Sequence, residues 1–250
     1  MRRRFAGVIA SDLDGTLFGP DHQLAAPTVD ALRNARRAGW LVLGATGRAP
    51  RSAMERIGDH GVLDGLACSN GSIVHDVSTD TTSDRFPIDP AHLGALFGAL
   101  DAGVADLAYC WEMASSYAWD ADFGDIAREH DDLGDSGPGD RPGPDVAVTK
   151  VMVSHPDVVR EELMALLVPH RPAPLTIGCS GVECVEITGV GVHKARALAH
   201  LGTRFGFGAD EVIAFGDTQN DVPMLEWAGH SVAVGNAVEA AKQVANEVIG

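Results

Sequence analysis

Lysine is scarce in this chain. Of 250 residues only Lys150, Lys194 and Lys242 are lysines, and arginine supplies the rest of the positive charge. Lys and Arg together number 19 against 35 Asp and Glu, for a formal net charge of -16. That balance argues against sequence-independent binding to nucleic acid or to an anionic membrane surface. A small anionic substrate stays open, because a local cation reverses the field inside one pocket. Cysteine is nearly as sparse. Cys68, Cys110, Cys179 and Cys184 show no C-x-x-C spacing and no partnering histidine cluster. This argues against a zinc site and for reduced, mostly buried thiols. No apolar run reaches the roughly 18 to 20 residues that span a bilayer. Met1-Arg2-Arg3-Arg4 has the charge of a signal-peptide start, but the apolar run behind it is short and ends at Asp12. The expectation is a soluble, cytoplasmic protein, monomer or homodimer.

What is present is concentrated at the two ends of the chain. Residues 6–10 form an apolar run that reads as a buried parallel strand, and Asp12 and Asp14 stand at or just past its end. A helix follows from Pro27, then a second buried strand over 40–45 that stops at Thr46-Gly47-Arg48. A short helix over 52–57 leads to a third strand at 66–68, ending in Ser69-Asn70-Gly71. The last quarter repeats the order. A helix over 193–201 precedes a strand at 211–215 that ends in Gly216-Asp217. A helix beginning at Pro223, a strand at 231–234 and an amphipathic helix over 237–248 follow. Alternating strands and helices imply an α/β fold, a doubly wound parallel Rossmann-like core with right-handed crossovers.

The middle differs in texture. A helix over 90–100 and strands at 107–111, 116–119 and 146–154 lead to a helix over 156–168. Strands at 175–177 and 183–187 then close the segment, and a Gly-, Pro- and Asp-rich loop lies at 134–144. Neighbouring strands with short connections suggest an antiparallel α+β module. The expected organisation is a core domain of residues 1–80 and 187–250, with an inserted cap domain of residues 81–186. Within the insert, Tyr109, Trp111, Tyr117 and Trp119 read as cap core. Asp120, Asp122, Asp125, Asp131 and Asp132 read as a solvated acidic face.

Parallel strands place their C-terminal ends along one edge, where open α/β sheets bind ligands. Asp12, Asp14, Thr46, Asn70, Asp217, Asn220 and Asp221 all fall at such ends. A buried carboxylate pair is costly unless a cation or protons compensate. Asp12, Asp14, Asp217 and Asp221 are hard oxygen donors that suit Mg2+. An ionised Asp12 is a candidate nucleophile and Asp14 a candidate general acid and base. The Thr46 hydroxyl and the Lys194 ammonium suit a phosphoryl group. Each feature has a plainer explanation alone: a solvated turn for Asp12 and Asp14, a helix cap for Asp217 and Asp221, a loop hydroxyl for Thr46. His193 reads as a surface or cap-facing residue rather than a ligand, and Gly189-x-Gly191 lacks the third glycine of a dinucleotide loop.

The motifs Asp12-Leu13-Asp14-Gly15-Thr16, Ala45-Thr46-Gly47-Arg48, Gly191-Val192-His193-Lys194 and Gly216-Asp217-Thr218-Gln219-Asn220-Asp221 occur together and in order. In this the chain resembles the haloacid dehalogenase superfamily phosphatases, in particular the Cof-type branch with a type IIB cap. Ser69-Asn70-Gly71-Ser72 and the run at 233–237 are further matches, while Ala195 stands where the family often has glycine. The chain stops at Gly250, where such relatives usually continue with a short Asn- and Asp-bearing segment.

The resemblance implies Asp12 as nucleophile and metal ligand, and Asp14 as acid/base and backbone metal ligand. It implies Asp217 as a direct ligand, with Asn220 and Asp221 completing the metal site. Thr46 and Lys194, with backbone groups of Leu13 and Gly47, would hold the substrate phosphate. Asn70 and Arg48 are further candidates for substrate contact. The expected activity is Mg2+-dependent hydrolysis of a small phosphorylated metabolite, such as a sugar phosphate, through an aspartyl phosphate. A phosphomutase and a non-catalytic phosphometabolite-binding protein are the alternatives.

Overall fold

Apolar runs without polar alternation dictate strands covered on both faces, and the chain ends are built from such strands. The computed structural model describes residues 5–113, 116–123, 136–179 and 183–250. The first elements are β1 (Val8–Ser11), α1 (Ala26–Arg37), β2 (Leu41–Ala45), α2 (Pro50–Ile57), β3 (Gly65–Cys68), β4 (Ile73–Asp76) and β5 (Thr81–Arg85). The middle adds α3 (Pro90–Gly103), β6 (Ala108–Glu112), β7 (Tyr117–Trp119), β8 (Gly137–Pro138), β9 (Lys150–Ser154), α4 (Arg160–Leu167), β10 (Thr176–Gly178) and β11 (Val185–Thr188). The chain closes with α5 (Lys194–Phe205), β12 (Val212–Gly216), α6 (Val222–Trp227), β13 (His230–Val234), α7 (Glu239–Val244) and β14 (Glu247–Ile249). Two compact units result. One joins Met1–Asp84 to His193–Gly250, and the other is Arg85–Val192.

The first unit holds an eight-stranded sheet in the order β14-β13-β12-β1-β2-β3-β4-β5. β1 pairs in parallel with both β12 and β2, in the registers Ser11↔Phe215 and Ser11↔Gly44. Their C-terminal ends are therefore level, which brings the two chain ends together. Leu13, Val29, Leu32, Val42, Leu63 and Leu66 fill one face of this core. Proline in the first turn of α1 and of α2 loses no intrahelical bond and presets the helical φ.

Two elements differ from the sequence reading. β4 runs antiparallel to β3, so the sheet departs from parallel pairing on this side, where β5 forms its edge. The four residues of β4 are all buried and include His75 and Asp76, a mixture that hides a strand from periodicity. The last helix is short, and Val248 and Ile249 turn to extended pairing, Ala233↔Val248 and Val234↔Ile249. Branched side chains fit a pleated surface better than a helix.

In the second unit the strands order as β10-β11-β9-β6-β7-β8. The pairs are antiparallel except the short β7–β8 pair, in which β8 lies within the loop expected at 134–144. Leu93, Leu96 and Leu100 of α3 and Leu163 and Leu167 of α4 pack with Tyr109, Trp111, Val151 and Ile187. Phe97 meets Tyr109 and Trp111 edge-on, at centroid distances of 5.2 and 6.5 Å. Tyr117 and Trp119 lie opposite Glu112 and Cys110, on the other face from that core.

On that other face Lys150 Nζ reaches Glu186 Oε1 at 2.8 Å and Glu112 Oε2 at 3.6 Å, all buried. Burial opposes the ammonium, but the two carboxylates outweigh it and hold Lys150 charged. Asp120 is not part of a solvated face. Its carboxylate accepts from the N–H groups of Tyr109 and Phe123, and burial raises its pKa. Asp122 is exposed, and Asp125, Asp131 and Asp132 lie outside the described residues. None of Cys68, Cys110, Cys179 and Cys184 forms a disulfide among the described residues. No helix among the described residues is long and apolar enough to cross a membrane.

Candidate active site

Asp12 follows β1 directly and its N–H donates to the Phe215 carbonyl at 2.9 Å, so the sheet ladder itself fixes its position. Thr46 follows β2 and donates its N–H to Ala67 at 2.8 Å, while its carbonyl takes the Asn70 N–H at 3.0 Å. Lys194 opens α5. His193 caps that helix, its Nδ1 accepting from the Arg196 N–H at 3.3 Å, so this histidine is a helix cap and not only a surface residue. Gly71 sets where α5 starts. Its φ is +96°, and a Cβ there would lie 2.3 Å from the His193 carbonyl oxygen. Only glycine permits that turn and that approach.

The Lys194 ammonium bridges two carboxylates, at 2.5 Å from Asp12 Oδ1 and 2.6 Å from Asp221 Oδ1. Asp221 Oδ2 accepts from the N–H groups of Asp217 and Thr218, at 3.1 and 2.9 Å, and from the Thr218 hydroxyl at 2.9 Å. Asp221 therefore braces the loop after β12, and its side chain makes no capping bond to α6. Asp217 Oδ1 accepts from Thr16 Oγ1 at 2.9 Å, and its Oδ2 lies 3.4 Å from Asn236 Nδ2. Asn236 also donates to the Gly15 carbonyl at 3.0 Å. Thr16 and Asn236 were within the motifs, but nothing in their spacing marked them as partners of Asp217.

Asp12, Asp217 and Asp221 are all buried, and each offers an oxygen within 4.8 Å of the others. Three carboxyl groups share this space with one ammonium, so the acids outnumber the cation by two. Burial raises the Asp12 pKa well above the carboxylate range, against the pull of Lys194, and the Asp221 and Asp217 charges add to the rise. Burial also raises Asp217, opposed by the Thr16 bond. Lys194 moves upward because Asp12 and Asp221 outweigh its own desolvation. A buried set of hard oxygen donors that is short of positive charge fits a divalent cation such as Mg2+.

Asp14 lies outside that group. Arg48 grips it with two parallel bonds, Nε to Oδ2 and Nη2 to Oδ1, each 2.7 Å, and His22 Nδ1 stands 3.1 Å from Oδ1. Burial works against the charged form of Asp14, but the Arg48 bonds and charge, with His22 behind them, hold its pKa below the usual range. Arg48 also donates to Ser52 Oγ at 3.1 Å, and its backbone N–H donates to Thr46 Oγ1 at 3.1 Å. Thr46 is fully buried. Leu13 is buried in the core, and its carbonyl accepts from Phe18 at 2.7 Å; Gly47 lies in the turn between Thr46 and Arg48. Asn220 is held at both ends of its amide: its Nδ2 donates to Asn70 Oδ1 at 3.1 Å, and its Oδ1 lies beside the Thr218 hydroxyl that also contacts Asp221. The predicted residues thus form three linked sets: Lys194 with the three acids, Arg48 with Asp14, and Asn70 with Asn220.

Residues 9–250 match the family model of haloacid dehalogenase-like hydrolases. Among curated relatives, an HMP-PP phosphatase of Serratia proteamaculans is 30% identical over 94% of this chain and 86% of its own length. The pyridoxal phosphate phosphatase YbhA of Escherichia coli is 29% identical over 97% and 93%. Among solved structures, a haloacid dehalogenase-like hydrolase from B. subtilis superposes with a TM-score of 0.80 at 26% identity, covering 97% of this chain and 94% of that one. The subclass IIB sugar phosphatase BT4131 shares the fold, with a TM-score of 0.78 at 22% identity over 97% and 93%. The curated relatives this chain matches are named as phosphatases of this superfamily, that is, as phosphoric monoester hydrolases. The chain belongs to the haloacid dehalogenase-like hydrolases, in their Cof-type branch.

Proposed function

We propose that this chain hydrolyses a small phosphorylated metabolite with the help of Mg2+, through an aspartyl phosphate formed on Asp12. The observation that carries the reading is the buried group of Asp12, Asp217 and Asp221 around the Lys194 ammonium. Asp12, Asp217 and Asp221 would hold the ion, with the Asp14 carbonyl and Asn220 completing its surroundings. Bound there, Mg2+ supplies charge neutralisation for the phosphoryl oxygens and for the acids themselves.

The remaining chemistry belongs to side chains. An Asp12 carboxylate oxygen attacks phosphorus, and the P–O bond to the leaving group breaks in line. The leaving oxygen takes a proton from Asp14. Water then attacks the phosphorus of the aspartyl phosphate and gives its proton to Asp14, which releases phosphate and restores Asp12. Lys194 keeps its proton throughout, since two carboxylates stabilise its charge, and it offsets the negative charge that develops. The Arg48 pair favours the carboxylate form of Asp14, the form the water-activating step requires. Delivery of a proton in the first step requires Asp14 to leave that pair and to enter the cycle protonated, the form that the attack of water regenerates. Arg48 is then released toward substrate oxygens, beside Thr46 and the backbone of Leu13 and Gly47.

The substrate class is read from relatives named for pyridoxal phosphate, HMP-PP and a phosphoribitylaminouracil. The test is a screen of phosphorylated metabolites and p-nitrophenyl phosphate, with and without Mg2+, on the wild type and on Asp12→Asn. Phosphate release that needs both the metal and Asp12 supports the reading. Undiminished release by Asp12→Asn defeats it.

A further inference from the structure

The core unit has a cavity at the edge of its sheet opposite the carboxylate cluster. Asp12 and Thr46 follow the C-terminal ends of β1 and β2, whereas Gly7 and Trp40 precede their first residues. Five or six extended residues at about 3.3 Å each put the two edges about 17 Å apart. The cavity has a volume of about 470 Å3, within the span of about 300–1,000 Å3 usual for small-molecule sites. Arg33, Arg36 and Arg37 line it together with Phe5, Trp40 and Asp64.

The three arginines share one face of α1 because residues three and four apart are neighbours on a helix. Arg33 donates Nε and Nη2 to the His60 carbonyl at 3.3 and 3.1 Å. Arg36 donates to the Gly61 carbonyl and, at 2.6 Å, to Asp64 Oδ1. Arg37 donates to the amide oxygen of Asn34 at 3.2 Å. Neutral oxygens orient a guanidinium without cancelling its charge. Asp64 is the one carboxylate among the described lining residues, and its second oxygen already accepts the Val42 N–H at 2.9 Å. Three cations against one anion leave two positive charges in the cavity, in a chain of net charge -16. Such a concentration of oriented positive charge selects phosphate oxygens. The other wall is aromatic. The Trp40 indole lies so close over Gly7 that a Cβ there would come within 2.5 Å of the ring, and this packing fixes its plane.

We propose that this cavity binds a phosphorylated compound carrying a planar ring, of the nucleoside phosphate class, at a site separate from the carboxylate cluster. The guanidinium groups take the phosphates, and Trp40 and Phe5 take the ring.

The experiment is calorimetric titration of ADP into the full chain in EDTA, with inorganic phosphate and adenosine as the other two arms. Wild type, Arg37→Glu, Arg37→Gln and Asp12→Asn are compared after a melting curve has shown each to be folded. The expected result is one ADP per chain, bound at least about tenfold more weakly by both Arg37 variants and unchanged by Asp12→Asn. Inorganic phosphate and adenosine should each bind more weakly than ADP. Absence of ADP binding, or binding lost in Asp12→Asn and kept in the Arg37 variants, overturns the proposal. Inorganic phosphate binding as tightly as ADP overturns the assignment of a ring site.

Discussion

The ammonium of Lys194 lies 2.5 Å from the carboxylate of Asp12, across 182 positions of chain. Each is buried, and neither is tolerable alone in that position. Lys194→Met keeps an unbranched side chain one atom shorter and removes its charge, leaving Asp12 and Asp221 facing one another. Breaking one member out of a buried ion pair costs about 3–5 kcal/mol. The expected outcome is a loss of that order in urea unfolding in EDTA, with much of it recovered on adding Mg2+. An unchanged midpoint would mean that Lys194 does not hold the acids together.

Metal removal should act on stability as well as on turnover. With three acids sharing one space, EDTA should lower the melting temperature and stop phosphate release, and Mg2+ should restore both. Asp217→Asn should blunt the Mg2+-induced rise in melting temperature. A rise as large in that variant as in the wild type would place the ion elsewhere.

Gly15 is tied to Asp217 by space. Its φ is +84°, and a Cβ would stand 2.4 Å from Asp217 Oδ2. Gly15→Ala should therefore cost about 1–3 kcal/mol, the usual range for a residue held in a disfavoured backbone region. It should also lower kcat/KM by displacing Asp217. Denaturation and p-nitrophenyl phosphate kinetics on the same preparation check both effects.

Asp76 gives a pH signature away from the acidic cluster. Its carboxylate accepts from Ser78 Oγ at 2.6 Å and Ser78 N–H at 2.9 Å, and it pairs with Arg204. The Ser78 bonds and the Arg204 charge outweigh burial and hold its pKa below the ordinary value. A depressed folded pKa stabilises the protein above the unfolded value of about 3.9, and the stabilisation fades as pH falls through the folded one. Asp76→Asn should then cost about 1–2 kcal/mol at neutral pH. The difference from wild type should shrink as pH falls below about 4. A penalty independent of pH would show that charge is not what Asp76 contributes.

The candidate site was largely legible because parallel strands align their ends. Asp12, Thr46 and Asp217 each follow a buried apolar run, and the level registers of β1 with β2 and β12 bring them to one edge. Side-chain partnerships were not legible. Arg48 turns onto Asp14 because of the path of the turn between β2 and α2, which leaves no mark on composition. Thr16 and Asn236 hold Asp217 from loops far apart in the chain. The buried set of Glu112, Lys150 and Glu186 was missed because single charged residues in alternating strands normally face water; here cross-strand register places them together. β4, β5 and β14 escaped because short elements with mixed polarity carry no period long enough to read.

The central claim is that Asp12 carries the phosphoryl group. Its most direct measurement is acid quenching of the enzyme during turnover of p-nitrophenyl phosphate, followed by peptide mass spectrometry. The account predicts a phosphoryl adduct on the peptide containing Asp12, absent from Asp12→Asn, which should also fail to turn over. Continued turnover by Asp12→Asn, with no adduct on that peptide in the wild type, would contradict it.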